Sequence, residues 1–128
     1  MAATDQHGLD RVFLVAPSST EVRIASTVSA CRGFVYAAST MGVTGTRDQV
    51  GDAAQRLVAR VRAANPEFPV CVGLGVSNGE QAAQVASFAD GVIVGSAFVR
   101  RLLDQPDAAG VAAVRALAAD LADGVRRR

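Results

Sequence analysis

The sequence predicts an α/β fold of the TIM (β/α)8-barrel type, present as a half-barrel of four βα units with parallel strands. Three observations predict it. Short β-branched runs alternate with longer amphipathic segments, the pattern of parallel strands joined by right-handed helical crossovers. The strand runs are apolar on both faces, as parallel strands covered on two sides require. The units recur roughly every thirty residues, so 128 residues hold half of what a closed barrel of about 250 residues needs. An open, doubly wound sheet is the alternative that periodicity leaves standing.

Each element follows in order. Arg11 to Ala16 (RVFLVA) reads as the first strand, ended by Pro17. Ser18-Ser19-Thr20-Glu21 has the S-x-x-E spacing of a capping box and opens a helix to about Ala30. Gly33 to Ser39 (GFVYAAS) is the second strand, and a glycine-rich loop, Thr40 to Arg47, follows it. Asp48 is the expected cap of the next helix. In it Val50, Ala53, Ala54, Leu57, Val58 and Val61 form one apolar stripe, flanked by Arg56, Arg60 and Arg62 facing water. Asn65-Pro66 ends it, because the residue before proline is pushed out of the helical region. Pro69 to Leu74 (PVCVGL) is the third strand. Ser77-Asn78-Gly79-Glu80 repeats the capping box and starts a helix to about Phe88. Gly91 to Gly95 (GVIVG) is the fourth strand, and Ser96 to Leu103 a short extra helix ended near Pro106. The last helix runs from about Asp107 to Val125, with Val111, Val114, Leu117, Ala118 and Leu121 on one face and Arg126-Arg127-Arg128 complementing its C-terminal dipole.

Length and composition bound the function. Residues 1–128 fit a single domain, and with 50% hydrophobic residues the chain can bury a core. A net charge of +1 gives no electrostatic footprint for nucleic acid or an acidic membrane surface. The apolar stretches fall well short of the ~20 residues of a membrane helix. Met1 to Asp10 is polar and lacks an apolar signal core, which predicts a cytoplasmic chain. Cys31 and Cys71 offer neither a disulfide framework nor metal-ligand spacing and read as two small buried thiols, so no metal or cofactor is expected.

Glycines cluster where the strands end: Gly42 and Gly45 after the second, Gly73 and Gly75 around Leu74 after the third, Gly95 before Ser96 after the fourth. Parallel strands bring those ends to one edge. A phosphate needs close backbone approach and several N–H donors; glycine permits the approach, and a helix N-terminus supplies donors and a positive dipole end. Barrel phosphate sites recur at the last two strands beside a short extra helix, where Gly73, Gly75, Gly95 and Ser96 stand. Acid–base chemistry at carbon needs a placed acid and base, and no Asp or Glu falls at a strand end. Glu21, Asp48 and Glu80 stand at helix starts, and the single histidine, His7, precedes the first strand as a solvated residue. Met41 packs the loop, and Tyr36 shares a face of its strand with Phe34. The residues thus describe a binding half with no catalytic pair.

The blocks RVFLVAPSS, GFVYAASTMGVTG, VGLGVS and ADGVIVGSAFV, in this order and spacing from about Gly8 to Val125, resemble the C-terminal half of the tryptophan synthase alpha subunit. In that family a full barrel is a lyase that cleaves indole-3-glycerol phosphate to indole and glyceraldehyde 3-phosphate in tryptophan biosynthesis. Indole then passes to a pyridoxal-phosphate beta subunit. The resemblance implies that Tyr36 lines the substrate pocket and that Thr44 helps close the site and orient a catalytic carboxylate. It makes Gly45, Gly73, Gly75, Gly95 and Ser96 phosphate-binding positions and sets Leu74 and Val76 beside the phosphate and indole. The family's catalytic carboxylates lie on and after the second strand of the full barrel. They have no counterpart here, where the chain opens at the end of a helix before what would be strand five. Met1-AATDQHGLD accordingly reads as a start inside a longer reading frame, or as a fragment. The expectation is an enzyme half, inactive without its N-terminal half, against a non-catalytic phosphate-binding module that pairs with itself. The GVTG loop argues against another phosphate-using barrel. Two unpaired sheet edges predict dimerisation or marginal stability.

Overall fold

The computed structural model describes residues 1–39, 52–73 and 75–127. In chain order the elements are α1 (Ala2–Gln6), β1 (Leu14–Val15), α2 (Glu21–Ala30), β2 (Val35–Ala38), α3 (Asp52–Ala64), β3 (Val70–Gly73), α4 (Gly79–Ala86), β4 (Gly91–Ile93), α5 (Ser96–Asp104) and α6 (Asp107–Arg126). All strands are parallel, in the order β1-β2-β3-β4. That order decides between the two α/β alternatives. A doubly wound sheet reverses direction at a switch point and carries helices on both faces. Sequential order with right-handed crossovers puts every helix on the same face. The fold is therefore a (β/α)4 half-barrel.

Side chains sort by strand parity. Val15, Val35, Ala37, Val70 and Val72 are buried and share a core with Ile24 and Val28 of α2, Leu57, Val58 and Val61 of α3, and Ala82 and Val85 of α4. Register aligns Val15 with Ala37, Ala37 with Val72, and Val72 with Val92 on this covered face. The other face carries the row Leu14, Tyr36, Cys71, Gly91 and the row Ala38, Gly73, Ile93. It is open: Leu14 is 61% exposed. The sequence predicts strands covered on two sides, whereas among the described residues helices cover only one. In a closed barrel the second face is filled by side chains of the remaining strands.

Element ends shift for identifiable reasons. The first strand, expected over Arg11 to Ala16, is regular only at Leu14–Val15 because β1 has one neighbour. Its backbone still pairs further back, the Phe13 carbonyl accepting from the Tyr36 N–H (3.0 Å) and the Arg11 carbonyl from the Arg32 N–H (2.8 Å). The expected capping box at Ser18 does not form. Thr20 is the cap and accepts from the Arg23 N–H, Ser19 Oγ accepts from the Ala16 N–H, and Glu21 pairs with Arg60. At α4 the cap is Asn78 rather than Ser77. Helix α3 ends at Ala64, as Asn65-Pro66 requires, while its expected cap Asp48 and stripe residue Val50 lie outside the described residues.

Two expected faces are corrected. Arg60 and Arg62 are not free in water: Arg60 Nε donates to Glu21 (2.6 Å), and Arg62 donates to the Phe88 carbonyl (2.8 Å) beside Asp90. On α6 the buried residues are Gly110, Leu117, Leu121 and Gly124, whereas Val111 is 55% exposed and Ala118 is exposed. Glycines at close helix contacts set the phase there, and a count of apolar residues passes over them. Cys31 is buried, but Cys71, on the open face, is only half-buried; both are free thiols. Among the described residues no helix is long and apolar enough to cross a membrane.

Candidate functional site

The carboxyl ends of β2, β3 and β4 lie side by side. Ala38 pairs with Gly73 and Gly73 with Ile93, and the Ser39 N–H donates to the Gly73 carbonyl at 3.0 Å. With adjacent strands roughly 4.8 Å apart, the three ends fall within about 10 Å. The glycines after β3 and β4 therefore open on one rim.

At β3, Gly75 has φ +82°, in the left-handed region that side chains with a Cβ disfavour. It is exposed, and a Cβ there would meet nothing within 4 Å. Val76 follows and is buried at 2% exposure, so its side chain anchors the turn in the core and leaves only its backbone for a ligand. At β4, Gly95 is the N-cap of α5 and supplies no side-chain cap, so no side chain screens the first turn opened by exposed Ser96. A Cβ on Gly95 would also meet open space. Two neighbouring rims thus present backbone with clear approach, one of them at the positive end of a helix.

Tyr36 stands in the middle of β2 on the open face, half-buried, with its ring against Gly73 of the next strand. Cys71 lies beside it, and burial, helped by the Asp90 carboxylate, pushes its thiol above the ordinary range. Thr44, Gly42, Gly45, Met41 and Leu74 lie outside the described residues. The carboxyl edge of the sheet thus carries Tyr36, Gly73, Gly75, Gly95 and Ser96, and the chain after β2 is described only to Ser39.

Among the described residues the carboxylates that follow the strands stand at helix starts; Asp48 lies outside the described residues. Glu21, Asp52 and Glu80 each occupy the first turn of a helix, where a negative charge meets the dipole. Glu21 is further tied to Arg60, which also reaches the carbonyls of Pro17 and Ser19 and clamps the turn after β1 onto α3. His7 caps α1, ahead of the first strand. Among the described residues no group of His, Cys, Asp and Glu is arranged to hold a metal ion.

Sequence reasoning misses three residues that hold turns and helix starts around the sheet. Arg60 is one. Gln81 is the second: its Oε1 accepts from both the N–H (2.8 Å) and the hydroxyl (3.1 Å) of Ser77. The third is Asp120 of α6, whose carboxylate accepts from the Gly79 N–H at 2.7 Å. A local signal exists for Gln81 alone, since Asn78-x-x-Gln81 is itself a capping-box spacing.

A profile of the tryptophan synthase alpha chain family matches residues 1–126. The tryptophan synthase alpha chain of Streptomyces coelicolor is 67% identical over 123 residues, covering 95% of this chain and 45% of that one. That of Acidothermus cellulolyticus is 65% identical over 127 residues, covering 99% and 47%. A solved structure of Mycobacterium tuberculosis tryptophan synthase superposes with a TM-score of 0.83 at 58% identity, covering 98% of this chain and 45% of that chain. The chain spans a little under half the length of these relatives.

Proposed function

The chain belongs to the tryptophan synthase alpha chain family, and on that basis we propose that it is the C-terminal half of such an alpha subunit. In this reading it contributes the phosphate grip and the active-site loop to a lyase that releases indole and glyceraldehyde 3-phosphate from indole-3-glycerol phosphate. The observation that carries the proposal is the pair of open glycines, Gly75 and Gly95, on adjacent strand ends, the second at the uncapped start of α5. Backbone N–H groups from the two rims hold the phosphate, joined by the loop carrying Thr44 and Gly45. Leu74 and the backbone of Val76 flank the ligand, and Tyr36 lines the pocket on the open face, where the indole end of the substrate fits beside an aromatic ring.

Bond cleavage needs a base that takes the proton of the hydroxyl on the departing carbon, which leaves as the aldehyde, and an acid that protonates the indole ring carbon receiving the bond's electron pair. The strand ends carry no Asp or Glu, and Glu21, Asp52 and Glu80 stand in the first turns of helices, so in this reading the acid–base pair comes from the N-terminal half. That half also closes the barrel against the edges of β1 and β4, each paired on one side only. The beta subunit, the partner in the complete enzyme, docks largely on that same half, and the chain works in the cytoplasm. The test is reconstitution. The purified chain alone binds glycerol 3-phosphate and releases no indole from indole-3-glycerol phosphate; mixed with an N-terminal half from a relative, it does release indole. Turnover by the isolated chain, or no turnover after barrel closure, overturns the proposal. A second reading is favoured by the open face around Leu14: without its companion, the chain pairs with itself as a phosphate-binding module, which light scattering reads as a dimer.

A further inference from the structure

We infer that Gln81 is a positioning residue for the anion site, holding the Gly75–Ser77 turn in its binding shape before a ligand arrives. The inference rests on the phosphate reading of that turn. Among the described residues Gln81 is the one buried polar side chain, 5% exposed. Burying an amide is costly unless it is hydrogen-bonded, and here the carbonyl oxygen of the amide takes both donors of Ser77. The backbone N–H of Ser77 requires an acceptor, which fixes which end of the amide faces it.

A helix-capping role alone does not account for this. The start of α4 is already held twice, by Asn78, whose Oδ1 accepts from the Gln81 N–H at 2.9 Å, and by Asp120 from α6, which takes the Gly79 N–H. In an ordinary capping box the residue three places into the helix reaches back to the cap's own N–H. Gln81 reaches one residue further, past Asn78, into the turn. There it pins Ser77, while the buried Val76 side chain pins the residue before it. Gly75, with its left-handed φ of +82°, is left between these anchors and β3. A turn of exposed backbone is thereby fixed from beneath, and donors fixed in advance bind an anion without first being ordered.

The test uses the whole chain, glycerol 3-phosphate as probe and amide NMR as readout. Gln81→Met keeps the shape and removes the acceptor; Asp120→Ala removes a cap of the same helix from outside the turn. We expect Gln81→Met, which loses both hydrogen bonds to Ser77, to weaken glycerol 3-phosphate binding about tenfold and to speed hydrogen exchange at Gly75, Val76 and Ser77. Asp120→Ala lowers the thermal midpoint and leaves the affinity of the folded chain unchanged. If Gln81→Met does not fold, Gln81→Asn, which buries an amide too short to reach Ser77, is read the same way. Wild-type affinity in the Gln81 variant, or an equal affinity loss in both variants, overturns the positioning role while the phosphate site stands. No binding by the wild-type chain overturns the phosphate reading and this inference with it.

Discussion

The ring of Tyr36 lies directly over Gly73 on the neighbouring strand: a Cβ built on Gly73 would stand 2.7 Å from the ring atoms Cε1 and Cζ. The absence of a Cβ on Gly73 is what lets the hydroxyl end of the ring come up against β3 on the open face of the sheet. Gly73→Ala therefore displaces Tyr36. The ring has open space beyond it, so it swings away at a cost of about 1 kcal/mol, the lower end of overpacking penalties. The chain has one tyrosine and no tryptophan, which makes intrinsic fluorescence a reporter of that ring alone. The expected result is a changed tyrosine emission with a nearly unchanged urea midpoint. An unchanged emission would show that the ring does not depend on Gly73.

What the sequence makes legible is the pattern that local chemistry controls. The alternation of β-branched runs and helical stripes places every strand, because strands buried on one side and facing a barrel interior on the other are apolar throughout. The stop at Asn65-Pro66 and the glycines at the ends of β3 and β4 follow from backbone rules alone. The helix starts are less legible. Ser18, Ser19 and Thr20 are chemically equivalent caps, and the choice among them is made by Ala16, which takes Ser19, and by Arg60, which takes Glu21 from 39 residues away. The buried face of α6 is misphased for a related reason, since Gly124 and Gly110 mark close approach rather than hydrophobicity. Of the site, the strand-end glycines are readable, and Gln81, four residues from Ser77, leaves a local signal in Asn78-x-x-Gln81; the cap that Asp120 gives α4 depends on which helix packs where, and no window of sequence contains that.

Asp5 ties the N-terminal helix to the body of the fold. Its carboxylate accepts from Arg11 Nη1 and, at 3.0 Å, from Arg32 Nη1 of the turn before β2, while Arg11 Nε reaches the Ala30 carbonyl at 3.0 Å. The hydrogen bond from Arg11 is the main cause that holds the Asp5 carboxyl below its ordinary value of 3.8, with Arg32 adding to it. A carboxyl lowered in the folded state stabilises it fully above the unfolded pKa, and the contribution is lost as pH falls through the folded one. Thermal midpoints of the wild type should exceed those of Asp5→Asn by a constant amount above about pH 5, and the two curves should merge in stronger acid. A gap that persists into strong acid would mean that the asparagine is disturbing something other than this charge.

Two glycines of this chain make opposite predictions, and the contrast separates packing from binding. A Cβ on Gly124 of α6 would overlap the Gly79 carbonyl and stand 2.7 Å from its carbon and 2.8 Å from its Cα. Those are backbone atoms at the start of α4, fixed by Asn78 and Asp120, so they cannot give way as a side chain does. Gly124→Ala is therefore expected to cost about 1–3 kcal/mol in chemical denaturation, the range for overpacking a tight contact. At Gly95 a Cβ would meet nothing within 4 Å, and the only structural cost is a less favourable helix cap, under about 1 kcal/mol. If an anion uses that clearance, Gly95→Ala crowds it and Gly95→Asp repels it as well. Both variants should keep a nearly wild-type denaturation midpoint while glycerol 3-phosphate affinity falls, most in the aspartate. The methyl of Gly124→Ala lies between two helices, so that variant should lose stability and keep the affinity of its folded fraction. Unchanged affinity in Gly95→Asp would remove the start of α5 from the site, because a fixed negative charge at that position cannot leave the binding of a phosphate unaltered.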